Sequence, residues 1–136
     1  MNALAPIGRV MFSLIFLLSV PHHFMHQTID YAAAAGVPLA HVAVPLAGLI
    51  ALVGGLSVAL GFHARVGAIA LLVFLVPVTL FMHRFWGLSD PQQAQVQQVN
   101  FMKNLALMGG ALYFVYAGSG AYSLDTRVHR HVLAMR

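Results

Sequence analysis

Three long stretches of this chain carry almost no charge, and that constrains the fold more than anything else in it. They run from Pro6 to His23, from His41 to Phe62 and from Val66 to Trp86. At about 1.5 Å per helical residue, spans of this order match the ~30 Å hydrocarbon core of a bilayer. A fourth apolar run, NFMKNLALMGGALYFVYAG, follows a glutamine-rich segment. Only 7% of the 136 residues are charged and 60% are apolar, whereas a soluble domain carries about 25% charged residues. Such a chain cannot clothe a water-facing surface. The expectation is an all-α integral membrane protein, a four-helix bundle forming one domain, with spans over about 6–23, 41–62, 66–86 and 97–118.

The first span is read as a retained helix, because SVPHHFMHQ is a poor cleavage site for a signal peptidase. Between it and the second lies an interfacial segment over about 24–40, with a short helix ended by Gly36 and Val37-Pro38. In the second span, Ala43, Ala47, Ala51, Gly55 and Ala59 recur every four residues. Small residues at that spacing let helix backbones approach closely in a membrane, and they suit self-association or packing against other membrane subunits. Pro77 should bend the third span. Asp90, Pro91 and Gln93 spell an N-cap, a proline at the first helical position and a capping-box partner, so the fourth helix starts there, ahead of its apolar part. Ala106 and Gly110 offer it a close-packing face.

The net charge of +4 comes from seven Lys and Arg against three Asp. The basic residues sit at helix ends and in a tail over 119–136, where they act as orientation signals and lipid contacts rather than as a nucleic-acid surface. Four spans would place Arg9, Arg65, Arg127, Arg130 and Arg136 on one side and only Arg84 and Lys103 on the other. That asymmetry puts both termini in the cytoplasm. Cysteine is absent, which excludes dithiol chemistry, thiolate metal sites and covalent haem attachment by this chain. Redox work would need a bound cofactor or a partner.

With this orientation, polar groups collect in an outer cap. His22, His23, His26 and Asp30 come from the first connection and His41 from the next span; His83, Arg84 and Asp90 come from the second outer connection, with Lys103 and Asn104 just below. If HHFMH is helical, His22 and His26 share a face at ligand spacing, Met25 adds a soft sulfur and His83 completes a set suited to copper or haem. The alternatives are solvated interface histidines, or proton handling and quinone contact by imidazole. Lys103 lies in the outer part of the membrane, where a charge must pair or snorkel; an ion pair with Asp90 or Asp30, or a polar site for a quinone carbonyl, are the readings. Phe85, Trp86 and Tyr31 are interface anchors. No nucleophile–base pair or phosphate loop is visible, so a hydrolase is not expected.

The segments GFHARVGAIALLVFLVPVTLFMHRFW and DPQQAQVQQVNFMKNLALMGGALYFVYAGSGAYSLD resemble the DoxX family of membrane proteins, as do IGRVMFSLIFLLS and YAAAAGVP. The resemblance spans about residues 7–126 and rests most on F-x-KNLAL-x-GG and G-x-G-x-YSLD. It implies a four-helix bundle in the bacterial inner membrane. It also implies an accessory subunit of a redox or respiratory-type complex, since the family's namesake is the small subunit of a thiosulfate:quinone oxidoreductase. A non-catalytic scaffold subunit is the alternative, and a copper- or haem-handling protein using His22, His26 and His83 a further one. For quinone contact the expected residues are His83, Arg84, Trp86, Asp90, Lys103 and Asn104. After the first helix this chain has PHHFMH where relatives carry small residues and lysine, so their contacts there do not transfer.

Overall fold

The computed structural model describes residues 2–128, and all of the regular structure in it is helical. Helix α1 (Leu4–Ser19) runs into a 3-10 turn over Val20–Phe24. Then come α2 (His26–Ala34), α3 (Ala40–Leu60), α4 (Ala64–Met82) and α5 (Pro91–Ala117), with a further helical turn over 124–128. His129, Arg130, His131 and Arg136, read above as part of the basic tail, lie outside the described residues.

Three stretches are long and apolar enough to cross a membrane: Leu4–Phe24, Ala40–Leu60 and Ala64–Met82. The expected fourth span is a helix of 27 residues, but its glutamine turns and the Lys103-Asn104 pair dilute its apolar character below that of the other three. It starts at Pro91, ahead of its apolar part, as Asp90-Pro91 predicts: Asp90 Oδ1 accepts the Gln92 N–H at 2.9 Å. Helices α1, α3, α4 and α5 share one core. Phe16 of α1, Ala51 and Val58 of α3, and Leu71, Phe74 and Leu75 of α4 are buried in it, with Leu107, Phe114 and Val115 of α5 packed against them. Phe12 joins α1 to α5, its ring centroid 5.0 Å from that of Phe114.

Small residues set the spacing of α3, as expected, with close approaches both off the Ala43–Ala59 stripe, at Gly48, and on it, at Gly55. A Cβ on Gly48 would lie 2.6 Å from the His23 Cβ, and one on Gly55 would lie 2.9 Å from Leu17. Ala106 is exposed, while Ala111 is fully buried and Gly110 faces Phe12. Helix α2 ends in a Schellman turn, with the Gly36 N–H bonded to the Ala33 carbonyl and the Val37 N–H to that of Ala32.

At the end of the molecule where α1 begins, the described chain beyond α5, 118–128, does not trail away. It folds back onto the α3–α4 turn. Arg9, read from the sequence as an orientation charge, is 2% exposed. Its guanidinium donates to the carbonyls of Ser119, Ala121 (3.0 Å) and Tyr122 (2.8 Å). Asp125 completes the closure. It accepts the His63 N–H on both oxygens, at 3.0 and 3.1 Å, and the Ser119 hydroxyl, while its own N–H reaches the Gly61 carbonyl at 3.1 Å. Arg65 donates to the Tyr116 carbonyl at 3.2 Å. Gly61 is confined twice over: its φ is +64°, and an added Cβ would stand 2.5 Å from Ser123 Cβ and 3.1 Å from Arg9 Cζ. Burial opposes ionisation of Asp125, but the Ser119 hydroxyl, the backbone N–H groups of His63 and Ala64 and the charge of His63 outweigh it. Together they hold the carboxyl below the usual carboxylate range.

Candidate functional site

The opposite end, built from the 3-10 turn, α2 and the adjoining ends of α3, α4 and α5, is open. Its histidines are separated by backbone, not assembled by it. His22 lies in the 3-10 turn, Met25 is extended (φ −84°, ψ 134°) and His26 opens α2. The continuous helix that would place His22 and His26 on one face is therefore interrupted between them. Both are exposed, and among the described residues no three His, Cys, Asp or Glu come together as metal ligands would. Pro21, which has no N–H to donate to the α1 turn before it, stands at the start of the 3-10 turn, and Met25 is extended four residues later.

His23, which the sequence placed only in the general polar cap, takes a defined position. It is partly buried, its ring centroid is 5.5 Å from that of Phe74, and Nδ1 lies 2.9 Å from the Ser19 carbonyl. It occupies the space that Gly48 leaves on α3. Its i to i+4 relation with Ser19 is the one signal in the sequence that could have found it. His83, at the end of α4, places Nδ1 2.9 Å from Gln97 Oε1, and the Gln97 amide donates to the Tyr31 hydroxyl at 3.2 Å. One chain of bonds thus ties α4, α5 and α2.

His23 and His83 both line a cavity of about 430 Å³ between α2, α3 and α4. Its walls are otherwise apolar, with Val44, Ala47, Phe74, Pro77 and Met82 among them and Thr28 as a further polar group. The size is in the range that holds a small ligand. Leu46, Val73 and Phe81 on its rim are exposed on the flank of the helices, so the opening faces sideways, where lipid tails lie, rather than along the helix axes.

The remaining residues expected around a quinone do not join this cavity. Arg84 and Asp90 are exposed and line a separate groove of about 740 Å³ with Tyr31 and Gln93. Trp86 packs in an aromatic cluster, 5.3 Å from Phe85 and 5.9 Å from Phe101 by ring centroids, which holds the α4–α5 connection against α5. Asn104 turns inward and donates to Thr79 at 3.1 Å, the hydroxyl of which donates to the Leu75 carbonyl at 2.6 Å. Lys103 lies on the exposed flank of α5, beside Val99, Met102 and Ala106. Asp90 is spent on the helix cap instead of pairing with it. One loose cap thus resolves into separate places: Lys103 and Asn104 are successive residues of α5 and point in different directions, while Arg84, Trp86 and Asp90 lie in the non-helical connection before it.

Comparison with known proteins agrees with this architecture. The family model described as DoxX matches residues 4–84, from the start of α1 through α4. Inner membrane protein YphA of Escherichia coli K12 is 27% identical over 123 residues, covering 89% of this chain and 87% of that protein. Inner membrane protein YqjF of the same organism is 32% identical over 103 residues, covering 76% of this chain and 73% of that protein. No solved structure matches the chain. With three apolar helices able to cross a bilayer and a family match over more than half its length, this chain belongs to the DoxX family of membrane proteins.

Proposed function

We propose that the chain is a four-span subunit of the bacterial inner membrane, with both termini in the cytoplasm, that binds a quinone-type ring in the cavity between α2, α3 and α4 and serves a larger redox assembly. The observation that carries this reading is the cavity itself. It is apolar, opens to the lipid flank and has two imidazoles among its lining groups. A lipid-soluble ring with polar substituents on an apolar body matches that combination, because the walls take the ring while the few polar groups orient it. Four spans follow if α5, which packs against α4 and meets α1 through Phe12 and Phe114, crosses with them. The two ends of the chain then share one side, a placement that the Arg9–Ser119 and His63–Asp125 contacts support.

The test is extraction of organic-soluble material from protein purified out of its native membrane. Quinone should be present near one equivalent, and Ala47→Trp, which fills the cavity, should lower it strongly while the protein remains folded. Protein that carries no quinone and takes none up on addition would remove the basis for this reading.

A non-catalytic assembly role is the second reading, and one observation favours it. Of the 27 residues of α5 only Ala111 is buried, and Met102, Leu105, Tyr113 and Tyr116 stand exposed. A partner subunit covering that flank would be captured by a photo-crosslinker at position 105. Crosslinks to lipid alone would oppose it.

A further inference from the structure

We infer that the cavity between α2, α3 and α4 takes its ligand in a hydroxyl-bearing, proton-donating form, a hydroquinone in preference to a quinone. This rests on the proposal that a quinone-type ring occupies the cavity, and it follows from the sign of the polar atoms there. The Ser19 carbonyl can only accept, so His23 Nδ1, 2.9 Å away, carries the proton. His83 Nδ1 faces the oxygen of the Gln97 amide at 2.9 Å, while the amide nitrogen is committed to Tyr31. That nitrogen of His83 therefore carries the proton as well. A neutral imidazole protonated at Nδ1 presents a lone pair at Nε2. Among the described residues neither Nε2 is hydrogen-bonded, and both rings line the cavity.

A third acceptor comes from the backbone. Pro77 has no N–H, so the Val73 carbonyl, one turn earlier, lacks its helical donor, and both residues line the cavity. Thr28 alone among the polar lining groups can either donate or accept. The site is thus rich in acceptors and poor in donors. A quinone, the oxygens of which only accept, meets like with like. The two O–H groups of the hydroquinone find partners. A site built to bond a hydroxyl discriminates against the analogue without it, because its own buried polar groups are then left unpaired.

The test compares a short-chain benzoquinone with its hydroquinone, titrated without oxygen into the full chain in lipid nanodiscs. The hydroquinone should bind roughly tenfold tighter, the worth of one to two well-made hydrogen bonds. That ratio corresponds to a midpoint potential for the bound couple raised by about 30 mV. His83→Phe should bring the ratio toward one, and Asp90→Ala should leave it unchanged. Because His23 is packed into the fold, the wild-type ratio and the His83 variant carry the decision. Equal or tighter binding of the oxidised form overturns this inference and leaves the quinone reading in place. Failure of both forms to bind overturns both.

Discussion

The two ends of this molecule handle their polar groups in opposite ways. At the termini end a buried guanidinium takes three carbonyls and a carboxylate takes two backbone contacts and a hydroxyl. At the α2 end the histidines are spread along a broken backbone, one arginine and two aspartates are exposed, and two cavities remain open. A non-helical segment beside a membrane must satisfy its carbonyls internally, since lipid offers no donors. Arg9 does this for Ser119, Ala121 and Tyr122, and the Thr126 hydroxyl for Gly120. Closure of that kind leaves little to offer a ligand, whereas unbonded nitrogens beside an apolar cavity leave a good deal. The end closed by internal bonds and the end proposed to take a ligand are therefore different ends, and the residues that look most alike in the sequence, charged groups at helix termini, divide between them.

This contrast can be broken at either end. The largest effect belongs to Arg9→Leu, which leaves three carbonyls without a donor at a cost of roughly 3 kcal/mol or more. It should lower the thermal unfolding midpoint in detergent by many degrees; an unchanged midpoint would mean that the closure is not structural. Gly61→Val comes next, because it forces a branched residue to positive φ against Ser123, a strain of about 2–3 kcal/mol before the clash is counted. The same measurement decides it, with Gly87→Val, where φ is also positive but nothing lies within 4 Å, as the milder control.

The third prediction concerns pH. Asp125 has its folded pKa lowered, so it contributes stability that is present above the ordinary carboxylate pKa of about 4 and lost as pH falls through the lower, folded value. The unfolding midpoint should fall on acidification through that window. Asp125→Asn should flatten the dependence while costing less than either change above. The smallest effect is at the open end. Asp90→Ala removes an N-cap worth ~1 kcal/mol, fraying the first turn of α5 in hydrogen exchange without touching the termini end. If that substitution destabilised the chain as much as Arg9→Leu, the contrast between the ends would fail.

Much of the architecture was legible in the sequence for simple reasons. Apolar length announces membrane helices, and Asp90-Pro91 announces a helix start because the side chain has one good use there. Gly36 and Pro38 end α2 as their conformational limits demand. Function was less legible. In the sequence the polar cap reads as one surface, although Arg84, Asp90, Lys103 and Asn104 face different neighbours. His22 and His26 share a face only if HHFMH is helical; the 3-10 turn and the extended Met25 remove that condition. His23, one residue from the expected ligand, is partly buried and packs against Phe74.

What the sequence determined by itself is the solvent: with so few charges the chain belongs in a bilayer, and its helices follow from the need to bond every backbone group within that medium. What only the tertiary structure decided is how each polar side chain is used. Arg9 lies 110 residues from Ser119, and His23 lies 25 from Gly48. No local pattern records such pairings. They arise where glycines let segments approach closely enough for a buried cation to find carbonyls, or for an imidazole to turn toward a cavity.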